Sequence, residues 1–140
     1  MKSPHTMAVR GIRGAITASE NESAAIVAAT SRLLREIVAR NGLRVEDIGA
    51  IFFTTTPDLT AEFPAAAARE LGWHDVPLLC GHEMSVPGRL DKCVRVMMLV
   101  NVDVAQTGIH HVYLDGAKSL RPDLERAPQH AQHEGSTTVR

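Results

Sequence analysis

The sequence predicts an α/β (α+β) fold in which a five-stranded mixed sheet carries one long and one short helix on one face. Segments with the spacing of strands and helices follow one another as strand, helix, strand, short helix and three further strands. Two of these strands are the apolar runs VPLLC and CVRVMMLV, each bounded by turn residues, as buried strands are. Such a sheet builds only a small core, which favours association with further copies of the chain.

The first predicted strand is Ala8–Thr17. Side chains alternate between the two faces of a strand, so Arg10 and Arg13 point in opposite directions. The neighbours of Arg13 on its own face include Gly11 and Ala15, whose small size leaves room for a ligand beside the guanidinium. The alternative interpretation is a strand with two surface arginines.

The long helix is predicted over Ser19–Asn41, where apolar residues recur at helical spacing. Ser19 and Glu22 have the spacing of a capping box, with Asn21 as a rival N-cap. Gly42 is expected to end the helix in the left-handed conformation. No chemistry is expected on this helix, which serves as scaffold.

The remaining elements are predicted from β-branched residues, apolar runs and turn residues. They are a helical turn at Val45–Ile48, a strand at Ala50–Thr56, a helix at Pro64–Leu71 with Pro64 at its first position, a strand from Val76, a strand at Lys92–Val100 and a strand at Ile109–Leu114. We expect residues 1–7 to be a flexible extension, residues 8–124 to be the domain and residues 125–140 to be a mobile polar tail.

Composition excludes several classes of function. The formal net charge is −1 and only 4% of residues are aromatic, so neither a basic surface nor stacking platforms for nucleic acid are expected. No apolar run reaches the length that spans a bilayer. The two cysteines, Cys80 and Cys93, lack metal-site spacing, and we expect reduced thiols in a cytoplasmic protein. A Cys80–Cys93 disulfide is the less favoured alternative.

Two charged residues do not fit an ordinary core. Glu83 ends the first apolar run and Arg95 lies inside the second. An unpaired buried charge costs about 3–5 kcal/mol, so Arg95 requires an anion, and we expect the substrate to supply much of it. Together with Arg13, these residues favour the binding of a carboxylated molecule, because the planar guanidinium matches carboxylates. Neither a serine triad nor a phosphate-binding glycine loop accompanies them.

Cys80 and Glu83 are three residues apart, so on a regular strand they face opposite ways. Both could line a site only if the strand lay between two sites, as at a subunit interface. Phe63, Arg69 and Tyr113 complete the candidates. Phe63 could instead staple the start of the second helix, and Tyr113 could be a packed residue with a satisfied hydroxyl.

The motifs VRGIRGAIT, TPDLTAEFPAAAAREL, VPLLCGHEMSVPG, CVRVMM and HVYLDGAKSLRPDL occur in this order along the chain. In these motifs the sequence resembles the monofunctional bacterial chorismate mutases of the AroH class, the Bacillus type. The resemblance implies conversion of chorismate to prephenate without cofactor or metal. It also implies a homotrimer with a pseudo-α/β-barrel core and active sites between subunits, which agrees with the opposed directions of Cys80 and Glu83.

The resemblance assigns residues by motif position. It implies catalytic roles for Arg95, Glu83, Arg13 and Tyr113, and substrate-binding roles for Phe63, Arg69, Cys80, Leu120 and Arg121. In this family, Phe63, Arg69 and Cys80 would come from the neighbouring subunit. One departure is Ala66, which stands where the Bacillus type has a lysine, so attraction of the dianionic substrate is expected to be weaker.

Two other functions fit the cation-rich set. One is a deaminase-like trimer acting on enamines or imines, and the other is a regulatory module that senses a carboxylate. The deaminase would not require Arg13, Glu83 and Arg95 together, whereas the regulatory module would sense an amino acid through the same cations.

Overall fold

The structure, a computed structural model, describes residues 7–121. The predicted tail and all but the last residue of the predicted N-terminal extension lie outside this range. The helices and strands are β1 (Ala8–Thr17), α1 (Ser23–Asn41), β2 (Ile48–Thr55), α2 (Ala65–Glu70), β3 (Leu78–His82), β4 (Cys93–Val102) and β5 (Val112–Tyr113). Short 3₁₀ helices occupy Val45–Asp47, Gln106–Gly108 and Asp115–Leu120. The predicted fold class and the order of the elements are confirmed.

The five strands form one mixed sheet in the order β3-β2-β4-β1-β5. The long strand β4 lies at its centre and pairs antiparallel with both β1 and β2. The two outer pairs, β2 with β3 and β1 with β5, are parallel. Because β4 lies between β1 and β2, residues from distant parts of the sequence become neighbours on one surface.

One face of the sheet is covered and the other is open. Ile12, Phe53 and Met98 point from three strands into a core that includes the apolar stripe of α1 and Trp73. The opposite face carries apolar side chains that remain exposed, among them Leu79 at 65% of its accessible surface. The core therefore leaves a second apolar surface without cover in a single protomer.

The close approach of α1 to the sheet depends on Gly14 in β1. A Cβ atom at this position would lie 2.8 Å from the Cδ1 atom of Ile37 and 3.3 Å from that of Leu33. It would also lie 3.3 Å from the carbonyl oxygen of Val112 in the next strand. Glycine therefore allows the helix, β1 and β5 to meet at one point.

The start of α1 differs from the prediction. The helix begins at Ser23 and its N-cap is Glu22, whose side chain forms no capping hydrogen bond, so the expected box with Ser19 is wrong. The rival N-cap was also wrong, because the Asn21 Oδ1 atom accepts hydrogen bonds from the backbone amides of Thr60 and Ala61. The Asn21 side chain therefore bonds to backbone amides that are distant in sequence instead of capping the helix.

The end of α1 agrees with the prediction, since Gly42 has φ 59° and ψ 39° and its amide donates to the last turn. In the second helix, Pro64 occupies the N-cap position instead of the first helical position. Gly72, which follows this helix, has a positive φ of 86°.

The last strand is shorter than predicted, with two residues instead of the six of Ile109–Leu114. The backbone of His110 pairs with a side chain: its amide donates to Asn41 Oδ1 at 2.8 Å, and its carbonyl accepts from Asn41 Nδ2 at 2.9 Å. The His111 ring, in turn, accepts the backbone amide of Arg13. Side chains thus replace the backbone ladder over the first half of the predicted strand.

Candidate active site

The strand register brings three of the predicted residues, Arg13, Arg95 and Tyr113, to the open face of the sheet. Thr54, Arg95, Ala15 and Tyr113 form one row across β2, β4, β1 and β5. Arg13 lies two residues before Ala15 on β1, so it occupies the position diagonal to Arg95. Two guanidinium groups on neighbouring strands repel unless anions lie between them, which makes this face a site for negative charge.

Glu83 supplies one of these anions. Its Oε2 atom lies 3.4 Å from Nε of Arg95 and accepts a hydrogen bond from the hydroxyl of Thr54. Its backbone amide donates to the carbonyl of Thr55 at 2.8 Å, so the residue is anchored just beyond the end of β3. The hydroxyl of Thr54 and the backbone of Thr55 therefore hold the Glu83 carboxylate beside Arg95.

A pocket of about 210 Å³ opens beside this ion pair. Its lining includes Glu83, Arg95, Cys93 and Leu120, so the segment after β5 contributes one of the predicted binding residues. The volume lies below the roughly 300 Å³ at which small-molecule sites usually begin. Within one protomer, this pocket is therefore small for a ligand site.

Tyr113 is buried and packs in a small cluster with Ala15, Cys93 and Ala117. Ala15 separates it from Arg95 in the row. Neighbouring strands are about 4.8 Å apart, so the backbones of Tyr113 and Arg95 lie roughly 10 Å from each other. Ala15 is small, which allows the two long side chains to approach a common ligand over it.

Three further predicted residues, Phe63, Arg69 and Cys80, lie elsewhere in the protomer. Cys80 pairs with Phe53, whose side chain is in the core, so Cys80 points to the helix-covered side, opposite to Glu83. A groove of about 360 Å³ runs past Cys80 and Phe63, and Phe63 is 65% exposed, which excludes it as a helix staple. Arg69 lies in the last turn of α2, close enough to influence the Cys80 thiol electrostatically.

The structure therefore separates the predicted residues into two half-sites. The first half-site is the open-face group Arg13, Glu83, Arg95, Tyr113 and Leu120. The second half-site is the group Phe63, Arg69 and Cys80. Arg121 follows the last 3₁₀ helix and acts electrostatically on the His111 ring beside Arg13.

Both cysteines are free thiols with raised pKa values. Burial raises the pKa of Cys80, against the effects of the Ala65 backbone hydrogen bond and of Arg69. Burial also raises the pKa of Cys93 to about 11, although the charge of Arg95 opposes it. The thiolate is the nucleophilic form of cysteine, so neither residue is activated for attack.

Three residues at the open-face site were missed from the sequence: Thr54, Cys93 and His111. Cys93 could have been found, because it lies two residues before Arg95 on the same strand and so shares its face. Thr54 and His111 carried no local signal. Their roles depend on contacts with Glu83 and with the backbone of Arg13, which are distant in sequence.

Within residues 7–121, no three or more His, Cys, Asp or Glu side chains are grouped so as to hold a metal ion. None of the helices in the same range combines the length and the apolar character needed to cross a bilayer. Ala66, at the position of the Bacillus-type lysine, lies in α2 and is partly buried.

Comparison with known proteins identifies the family. Residues 9–124 match the family described as chorismate mutase type I. The chain is 51% identical over 120 residues to chorismate mutase AroH of Thermus thermophilus, covering 85% of this chain and 98% of the relative. It is 49% identical over 119 residues to chorismate mutase AroH of Bacillus subtilis (strain 168), covering 84% and 94%.

Solved structures agree with the sequence comparisons. A chorismate mutase from Clostridium thermocellum superposes with a TM-score of 0.77 at 53% identity, covering 78% of this chain and 97% of that chain. This agreement favours the mutase prediction over the imine deaminase and the carboxylate sensor. The chain belongs to the type I chorismate mutase family.

Proposed function

We propose that this chorismate mutase rearranges chorismate to prephenate at sites formed between subunits of a homotrimer. The observation that carries the proposal is the separation of the two half-sites on opposite faces at the β3 edge, where Cys80 and Glu83 point in opposite directions. One protomer cannot bring both half-sites to one ligand. A neighbour that contributes its second half-site would complete the small pocket beside Arg95.

Arg95 stabilises the transition state. In this Claisen rearrangement the ether C–O bond breaks ahead of C–C bond formation, so partial negative charge builds on the ether oxygen. Arg95 donates hydrogen bonds to that oxygen in a site from which the ligand excludes water. A donor aimed at developing charge contributes about 3–4 kcal/mol to catalysis. Glu83 accepts the hydrogen bond of the substrate hydroxyl and orients the guanidinium, from which its Oε2 lies 3.4 Å away.

Arg13 and Tyr113 bind a carboxylate of the substrate and select the folded conformer that reacts. This orientation lowers the entropic part of the barrier, and it needs neither a nucleophile nor a cofactor. The raised pKa values of Cys80 and Cys93 are consistent with chemistry that proceeds without covalent attack. Cys80 of the neighbour serves as a small polar wall near the substrate hydroxyl.

The exposed apolar face supports the homotrimer. Register places Leu79, Phe52 and Met97 side by side across β3, β2 and β4, in line with Arg13 on β1. All three apolar side chains are exposed in the protomer. Contiguous exposed apolar surface commonly marks an interface. The trimer buries this row beside the active site and supplies Phe63, Arg69 and Cys80 from the neighbour, while Leu120 and Arg121 cover the mouth.

The reaction belongs to the route to phenylalanine and tyrosine. We place the enzyme in the cytoplasm, since both of its cysteines are free thiols, as is usual in that reducing compartment.

The assay that tests the reaction follows the loss of chorismate absorbance with wild type and Arg95→Ala. We expect kcat to fall about 10²–10³-fold with a smaller change in KM, because Arg95 acts mainly in the transition state. Arg40→Ala is the matched control, as Arg40 pairs with Glu36 on the exposed side of α1. A folded wild type that leaves chorismate unchanged would contradict the assignment.

Mixing two inactive variants tests whether sites are shared. Arg95→Ala damages the first half-site and Arg69→Ala the second, so each homotrimer is impaired. When the two variants are mixed in equal amounts and reassembled, about a quarter of the sites should have both half-sites intact. Each site combines the first half-site of one subunit with the second half-site of its neighbour, and each of these is intact in half of the subunits. Activity that stays at the level of the separate variants after confirmed exchange would mean that each protomer holds a whole site.

A further inference from the structure

His111 lies at the point where the parallel ladder of β1 and β5 ends. Only Gly14 with Val112 and Ala15 with Tyr113 are paired between these strands. The Arg13 backbone amide lies one residue before the first of these pairs, and a continuing ladder would offer it a carbonyl. The Nδ1 atom of His111 accepts this hydrogen bond instead, at 2.9 Å.

The backbone on both sides of His111 is anchored. The backbone of His110 forms two hydrogen bonds with the Asn41 side chain at the end of α1, at 2.8 and 2.9 Å. Val112, on the other side of His111, is paired in the sheet and buried in the core. His111 is thus clamped between two anchored neighbours, which fixes the direction of its ring toward β1.

We infer that His111 is a positioning residue for the active site: its neutral ring replaces a strand carbonyl and fixes the backbone from which the Arg13 guanidinium reaches the substrate. The inference rests on the carboxylate-binding role proposed for Arg13. The ring does not touch substrate in this assignment. It acts through Arg13 by preventing the end of the ladder from fraying beside the site.

The electrostatic surroundings support a neutral ring. Burial is the largest cause that lowers the pKa of His111 to about 4, followed by the charges of Arg13 on β1, Arg121 after the last 3₁₀ helix and His110 beside it. Asn41, the side chain that α1 contributes here, is uncharged. Only the neutral ring can accept at Nδ1, and its proton then lies on Nε2.

Two substitutions separate the hydrogen bond from simple packing. In His111→Asn, the Oδ1 atom takes the place of Nδ1 and can accept from Arg13. In His111→Gln, the amide group corresponds to the Nε2 position, and the acceptor is displaced from the Arg13 amide. We expect kcat/KM to fall about tenfold in His111→Gln, as misplaced groups cost rate, and to return to within about threefold of wild type in His111→Asn. His110→Gln is the matched control on the exposed neighbour, whose backbone bonds to Asn41 remain.

The Arg13→Ala variant keeps this inference distinct from the proposed function. If Arg13→Ala has wild-type kcat/KM, the role proposed for Arg13 fails. If Arg13→Ala is impaired while His111→Gln and His111→Asn are equally active, the positioning role of His111 fails by itself. Arg13→Ala with His111→Gln should be no slower than Arg13→Ala alone, because both changes remove one function.

A second measurement needs only wild type and His111→Asn, in case the glutamine variant does not fold. Asparagine does not titrate, whereas protonation of the wild-type ring removes the acceptor. The ratio of kcat/KM for wild type to that for His111→Asn should therefore stay constant from pH 6.5 to about 5 and fall as pH is lowered through about 4, where the folded ring becomes protonated. A ratio that remains constant as pH is lowered through 4, with both proteins still folded, would overturn the inference.

Discussion

The Oε2 atom of Glu83 lies 3.4 Å from the Nε atom of Arg95, and the same oxygen accepts the hydroxyl of Thr54. In the protomer the Arg95 side chain is 51% exposed, so the ion pair contributes little to folding stability by itself. The ion pair matters instead for the geometry of the site, because Thr54 is directly opposite Arg95 in the β2–β4 register. Thr54 therefore limits the orientations that the carboxylate can take beside the guanidinium.

Replacing Thr54 with valine tests this limit. Thr54→Val keeps the shape of the side chain but removes the donor to Glu83, and a hydrogen bond to a charged group is worth about 1.5–3 kcal/mol. We expect steady-state assays with chorismate to show kcat/KM reduced on the order of tenfold. Thr54→Ser retains the hydroxyl and should remain close to wild type. Equal activity of the valine and serine variants would mean that Glu83 is oriented by Arg95 alone.

The open sheet face predicts how the protein assembles. A charge at Phe52, which is 42% exposed in the protomer, would be buried without a partner in the proposed trimer. Phe52→Glu should elute as a monomer in size-exclusion chromatography with light scattering, and should lose most activity because half of each site is absent. Val104→Glu is the control, since Val104 is 43% exposed and lies outside the row. A monomeric Phe52→Glu variant with full activity would contradict shared sites.

Stability should depend on pH through His111. Burial and neighbouring cations lower its pKa from the ordinary 6.5 to about 4, so between these values the unfolded chain binds more protons than the folded one. The melting temperature should therefore fall as pH decreases from 6.5 to 4. Above pH 6.5 and below pH 4 the ring has the same protonation state in the folded and unfolded chains, so it should not change the melting temperature with pH there.

Thermal unfolding of wild type and His111→Asn at equal protein concentration measures this contribution. The difference in slope between the two proteins belongs to the ring, because asparagine does not titrate. Asp47 acts in a separate window: the Arg44 backbone hydrogen bond lowers its pKa below 3.8, so its contribution is lost only at lower pH. Identical slopes from pH 6.5 to 4 would refute the expected burial of a neutral His111.

Gly14 should be intolerant of a side chain. In Gly14→Ala the new Cβ would meet Ile37 at 2.8 Å and the Val112 carbonyl at 3.3 Å, which forces α1 away from the sheet. Overpacking of this kind costs about 1–3 kcal/mol and should lower the urea midpoint of unfolding. Gly49→Ala is the control, because its nearest contacts would be at 3.7 Å and the change should stay within about 0.5 kcal/mol. Equal midpoints for the two variants would exclude a close-packing role for Gly14.

Local patterns were sufficient for most of the fold. The first strand was predicted at its observed limits, Ala8–Thr17, and the left-handed cap at Gly42 followed from the need for a positive φ. Arg95 inside an apolar strand also marked the site, although the expected burial of its charge is wrong for the single protomer, where its side chain is 51% exposed on the open face of the sheet. Each of these signals can be read from one residue and its neighbours in sequence.

The errors occurred where distant side chains competed with local structure. The Asn21 side chain accepts hydrogen bonds from the backbone of Thr60 and Ala61 instead of capping α1. The Asn41 side chain bonds the backbone of His110, which therefore does not pair in the predicted fifth strand. Asn41 and His110 are 69 residues apart. Amide side chains can bond to either local or distant backbone groups, and the sequence does not state which partner the fold will bring near.

The sequence by itself determined the sheet, its two helices, the cations and carboxylate of the site, and the motifs of the family. Only the tertiary structure decided which of these residues meet: it set Thr54 against Glu83, and His111 against the Arg13 amide 98 positions away. It also divided the candidates between two faces of the sheet. The reason is that strand periodicity determines which way a side chain points, whereas the order and register of the strands determine what lies beside it.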